Sequence, residues 1–296
     1  MAASLYKEQD RNVLKTWFFM ALYVALFLIL GWALSGYYGN TQILFIAVGF
    51  SLVMNFFAYF YSDKLALASA GAVEASREKY ERLHETVENL AITAGLPKPR
   101  IYIINDPAPN AFATGRDKNH AAVAVTTGIL QRLDRVELEG VLAHELAHIG
   151  NRDILLSSIV VVLVGVVSFI ADIFLRNMFF RGNDDDHKGG ALLLLLQVAL
   201  IVIAPIVATL IQLAISRRRE FLADATGALL TRYPEGLASA LQKIAEDHHP
   251  LRRASMATAH LFISNPLKDR RAANFLARIF STHPPTSERV RRLLGK

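Results

Sequence analysis

Residues 16–62 read TWFFMALYVALFLILGWALSGYYGNTQILFIAVGFSLVMNFFAYFYS, and not one side chain in this stretch is charged. A helix crossing the hydrocarbon core of a bilayer needs roughly 20 apolar residues at about 1.5 Å rise each. The run is long enough for two crossings, and Gly36-Tyr37-Tyr38-Gly39-Asn40 divides it with turn formers, giving expected spans at 16–35 and 41–62. It is too long for the apolar core of a cleaved signal peptide, although Lys7, Arg11 and Lys15 precede it. Two further uncharged runs, 154–171 and 189–216, predict spans at 154–175 and 191–215; the first of these is weaker because Asp172 lies near its end. A buried helical hairpin is the alternative for that second pair.

The basic residues set an orientation. Of 32 lysines and arginines, 29 fall in residues 1–15, 63–153 and 217–296, and the other three lie between residues 176 and 190. By the positive-inside rule the three rich segments face the cytoplasm. The basic 217–296 segment lacks any nucleic-acid motif, so anionic lipid headgroups rather than nucleic acid are its expected partner. Absence of cysteine excludes disulfides and thiolate metal ligands.

Between the hydrophobic pairs the pattern changes. Val73, Tyr80, Leu83, Val87 and Leu90 predict an amphipathic helix over 73–94, stopped by Gly95-Leu96-Pro97. Short β-rich stretches at 100–105, 110–115 and 121–127 predict a small antiparallel sheet. Asp134 is a candidate N-cap for a helix over 135–149, and helices are expected over 216–230 and 237–245.

The helix over 135–149 carries His144-Glu145-Leu146-Ala147-His148. Residues four apart share a helix face, so both imidazoles can reach one tetrahedral zinc, with Glu145 beside the open coordination position as general base. A catalytic zinc needs a third protein ligand. The helix over 216–230 offers Glu220 and, one turn on, Asp224; two carboxylates on one face of an apolar helix need partners. Zinc ligation gives Glu220 a role, and a bond to a ligand histidine gives Asp224 one. A surface ion pair between Glu220 and Arg217–Arg219 is the alternative that spacing leaves open. The other histidines, His84, His120, His248, His249 and His260, read as exposed, and His187 with Asp184–Asp186 reads as an acidic loop.

In chain order, Asn110-Ala111-Phe112, the His144–His148 motif, Glu220 with Asp224, and His283-Pro284-Pro285 resemble the HtpX-type membrane metalloproteases, gluzincins related to the CAAX prenyl proteases. The resemblance covers nearly the whole chain. It implies that Asn110 and Ala111 lie on an edge strand pairing with substrate backbone. It also implies that His283 stabilises the oxyanion, with Arg289 near it, and that one zinc ion is bound per chain. The implied fold is a mainly α membrane protein with four hydrophobic helices and a cytoplasmic zincin-like α+β protease domain.

The expected organisation is an N-terminus (1–15), a transmembrane hairpin (16–62), a first catalytic part (63–153), a second hairpin (154–215) and a second catalytic part (217–296). The implied activity is zinc-dependent endoproteolysis of misfolded or membrane proteins at the cytoplasmic surface of a bacterial inner membrane. The wider role implied is protein quality control under stress. A specific processing peptidase and a non-catalytic zinc-containing adaptor are the competing readings.

Overall fold

The computed structural model describes residues 2–180, 217–254, 258–266 and 284–295. The expected fourth span at 191–215, the Asp184–His187 loop and His283 lie outside the described residues.

Two helices, α1 (Ala2–Tyr38) and α2 (Gln42–Ala70), form the N-terminal hairpin. Within them, 10–38 and 42–70 are long and apolar enough to cross a membrane. Their outer faces carry large exposed apolar groups, among them Trp17, Phe18, Trp32, Phe45, Ile46 and Phe56. In water such a surface would be a severe liability; against lipid tails it is ordinary. α2 does not end with the uncharged run. It continues through Asp63 and Lys64, beyond the expected end of the span at 62, and stops at Gly71 in the left-handed region (φ 67°). Its last two turns bury Ala66, Leu67 and Ala70 against Phe112, Ala122 and Ala124 of the sheet. Arg100 fixes Asp63 at 2.6 Å. One helix therefore belongs to both the hairpin and the core around the sheet.

The sheet is mixed rather than antiparallel. β1 (Ala72–Glu74), β2 (Arg100–Ile104), β3 (Ala111–Gly115) and β4 (Ala121–Thr126) run in the order β1-β2-β4-β3. β4 inserts between β2 and β3, so β2 and β4 are parallel while β3 pairs antiparallel with β4 at the edge. The expected helix over 73–94 starts late, as α3 (Glu81–Ala94), because Ala72–Glu74 pairs with β2 instead and leaves Val73 exposed. Only Leu83, Val87, Leu90 and Ala91, at helical spacing, face the core.

After the short α4 (Thr127–Arg132) comes α5 (Arg135–Gly150), which opens with a reciprocal capping box between Asp134 and Glu137. Asn151 and Arg152, the latter at φ 58°, then turn the chain by 84° into α6 (Asp153–Phe180). The first turns of α6 pack among Tyr23, Phe27 and Ala58 of the hairpin through Leu155, Ile159 and Leu163. The remaining helices are α7 (Arg217–Thr231), α8 (Pro234–Glu246, with Pro234 in its first turn) and α9 (Thr286–Leu293). The main core lies between one face of the sheet and α3, α5 and α8.

Candidate active site

α5 is buried without a break from Gly140 to Ala147. Its capping carboxylate Glu137 is gripped from α8 by Ser239 and by Lys243 at 2.7 Å, so the helix start is fixed. α7 comes close at Gly227, where an added Cβ would stand 3.0 Å from the His144 backbone nitrogen. Glycine allows that approach without strain, and it brings the α7 carboxylates within reach of the α5 imidazoles.

Nε2 of His144 and Nε2 of His148 lie 3.1 Å apart. Glu220 places one carboxylate oxygen 3.5 Å from the His148 nitrogen and the other 3.9 Å from the His144 nitrogen. Three ligands at about 2.0–2.1 Å on a tetrahedral zinc stand about 3.3 Å from one another, so the three groups are close enough to converge on one zinc ion. The alternative partner for Glu220, an ion pair with its arginine neighbours at the surface, does not fit: Glu220 is buried and its carboxylate faces the imidazoles.

Both imidazoles are held from behind. His144 Nδ1 lies 3.0 Å from an Asp224 oxygen, and His148 Nδ1 lies 2.9 Å from an Asp153 oxygen. Each carboxylate accepts the Nδ1 hydrogen, which in the neutral ring leaves the Nε2 lone pair available toward the centre of the triad. Arg289, from α9, donates to Asp224 at 2.9 and 2.6 Å and to the Ile263 carbonyl at 3.1 Å. It also lies 3.7 Å from Glu220. The guanidinium and His144 hold the Asp224 carboxyl below the usual carboxylate range, against the upward push of burial.

The titration of the site follows its burial. Desolvation takes His144 down to about 4. His148 is desolvated as well, but its bond to Asp153 and the nearby Glu220 charge outweigh burial and raise it to about 9. Desolvation raises Glu145 to about 7, in the range suited to a general base, although the Ala113 N–H donates to its carboxylate. The cleft at this point is lined by Ala113, Glu145, His148, Glu220, Arg219 and His260.

A family comparison matches residues 77–296 to peptidase family M48. The chain belongs to this family. Among its M48 relatives, a protease HtpX homologue of Caldanaerobacter subterraneus subsp. tengcongensis is 48% identical over 98% of the chain and 97% of the relative. One from Tropheryma whipplei is 47% identical over 98% and 97% respectively. The M48 chain also shares its fold with S. mikatae Ste24p (TM-score 0.52, 18% identity), covering 98% of this chain and 67% of that one.

Asn110 and Ala111 stand where β3 begins, at the sheet edge. The Asn110 side chain is buried and bonds the Ser264 carbonyl at 2.9 Å, and the Ala111 carbonyl accepts from Ile263 N–H at 2.9 Å. Segment 263–264 of the same chain thus occupies this end of the edge. Ala113, two residues on, faces the cleft beside Glu145.

Three residues of the site were given no role in it by sequence. Asp153 is a lone carboxylate at the threshold of an uncharged run, and that position was its signal. Arg219 donates to Asp153 at 3.4 Å. His260, expected to be exposed, is buried, with Nε2 3.0 Å from the Ser157 carbonyl.

Proposed function

We propose that the chain is a membrane-bound, zinc-dependent endopeptidase that cleaves misfolded or membrane proteins at the cytoplasmic face of a bacterial inner membrane. In this reading it serves protein quality control under stress. The observation that carries the proposal is the convergence of His144, His148 and Glu220 at metal-ligand spacing with Glu145 beside them.

His144, His148 and Glu220 would hold one zinc ion. When bound, zinc supplies Lewis acidity that polarises a carbonyl and acidifies water. Glu145 takes the proton from the attacking water on its carboxylate and passes it to the leaving amine. Asp224 and Asp153 keep the two ligand imidazoles in the Nδ1–H tautomer, and Arg289 keeps Asp224 ionised. His283 would donate to the developing oxyanion. An extended substrate would add to the β3 edge at Ala113, next to Glu145, through backbone bonds that read little of its sequence.

Two features favour action at a membrane surface. The α6 helix that carries Asp153 packs on the hairpin, and α2 runs from the apolar stretch into the protease core. The bias of lysine and arginine toward 1–15, 63–153 and 217–296 favours a cytoplasmic site. The test is Glu145→Gln in purified full-length protein. It should keep zinc but lose casein hydrolysis by at least about 100-fold. Hydrolysis within a few fold of the parent would remove Glu145 from the mechanism.

A further inference from the structure

We infer that Asn12, on the first hydrophobic helix, is a positioning residue for the metal site. Its side-chain amide fixes the Asp153 carboxylate, which in turn fixes His148. The inference rests on the reading of His144, His148 and Glu220 as metal ligands and extends it into the hairpin.

Asn12 lies one helical turn before the uncharged run of α1 and is 1% exposed. Its Nδ2 donates to Asp153 Oδ1 at 2.7 Å and to the Asn151 carbonyl at 3.3 Å. Asn151 is the C-cap of α5, so one amide grips both the end of the metal helix and the carboxylate behind its second histidine. The two Asp153 oxygens are divided. Oδ2 faces His148 Nδ1 at 2.9 Å, and Oδ1 faces Asn12, with Arg219 at the longer distance of 3.4 Å. Asn12 therefore makes the short bond that sets the carboxylate's rotation. A carboxylate free to rotate would pass that freedom to the imidazole, whose Nε2 must point at the cation.

The helix that supplies this bond is the one whose remaining length is suited to lipid. Thr16, at the start of the uncharged run, bonds back to the Asn12 carbonyl at 2.9 Å, so the turn carrying Asn12 is continuous with the apolar stretch. A shift of α1 in depth or tilt thus acts on the ligand shell of His148 through two hydrogen bonds. The site is complete only with the hairpin in place.

The experiment uses the full chain in lipid nanodiscs, loaded with zinc, and measures the rate of zinc loss to a chromophoric chelator. Removal of an outer-shell partner typically weakens metal binding 10- to 100-fold. Asn12→Leu, which keeps volume and removes the donor, should speed zinc loss about tenfold. The cobalt-loaded form should show an altered visible spectrum. Asn12→Asp, which sets a second carboxylate against Asp153, serves as an independent variant if the first does not fold.

Asn55→Leu is the control for general loosening of the hairpin. Asn55 bonds the Met20 carbonyl at 3.2 Å from within the same helix pair, and among the described residues that bond does not lead to Asp153. It should leave zinc loss and the cobalt spectrum unchanged. The inference is overturned if Asn12 variants lose zinc at the parent rate, or if Asn55→Leu accelerates loss as much as Asn12→Leu. A parent chain that holds no zinc, or a His148→Ala chain that holds it as firmly as the parent, would instead bring down the metal reading itself, and the inference with it.

Discussion

Replacing Arg289 by methionine isolates the buried ion pair between Arg289 and Asp224. Arg289 is 2% exposed and holds Asp224 through two bonds of 2.9 and 2.6 Å. Methionine fills a similar volume but leaves the Asp224 carboxylate buried with His144 as its remaining described partner. Removing one member of a buried pair costs about 3–5 kcal/mol, most of it for the charge left behind. For a chain of this size about 1 kcal/mol corresponds to roughly 2–4 °C, so the unfolding midpoint of the metal-stripped protein should fall by about 10 °C. The carboxyl can escape by taking up a proton, so the loss should be smaller at pH 5 than at pH 7.5.

Asp224→Asn combined with Arg289→Met removes both charges and should recover part of the loss. The assay is thermal unfolding of detergent-purified, chelator-treated protein at a fixed scan rate. A shift under about 2 °C at pH 7.5, or a double variant no better than the single one, would refute the reasoning.

Other perturbations follow from the same geometry. His148, raised to about 9, carries a proton at neutral pH that must leave when a cation binds. Zinc affinity should therefore rise about tenfold per pH unit from 7 to 9 and level off above that, with about one proton released per ion in calorimetry at pH 7. A flat profile over this range would show that the raised value is wrong. Gly227→Val should drive α7 away from His144, because its Cβ would stand only 3.0 Å from the His144 backbone nitrogen, and should lower zinc affinity more than fold stability. Equal losses would mean the close approach serves packing alone. Because the chain has no cysteine, single cysteines at Gly39 and Glu78 report topology directly. Impermeant thiol reagent added outside intact cells should label the first and spare the second; the opposite pattern reverses the orientation.

The parts of this structure that sequence made legible are those decided locally. His144 and His148 share a face because four residues make one turn, and Asp134 caps the helix that begins at the next residue. Glu220 and Asp224 were legible as a pair needing partners, and the structure supplies those partners from α5 and α9. What escaped is set by distant pairing. The parallel β2–β4 ladder depends on β4 entering between two strands that precede it, which no strand's own composition encodes. Val73 has the spacing of a helix but extends because β2 offers it a ladder. α2 reads past Asp63 because Arg100 neutralises that carboxylate. His260 is buried through a bond to Ser157, over a hundred positions away, and Asn12 reaches Asp153 across a still longer separation. An ordinary imidazole would put the loss of zinc binding below about pH 6. Asp153 and Glu220 move that range upward.

The most direct measurement is the zinc content of the full-length chain and its Glu220→Ala variant after equilibration at the same low free-zinc concentration. The account predicts one zinc per parent chain and far less in the variant, since the variant keeps only the two imidazoles. Equal zinc in both chains would contradict it, because the carboxylate from α7 would then play no part in holding the ion.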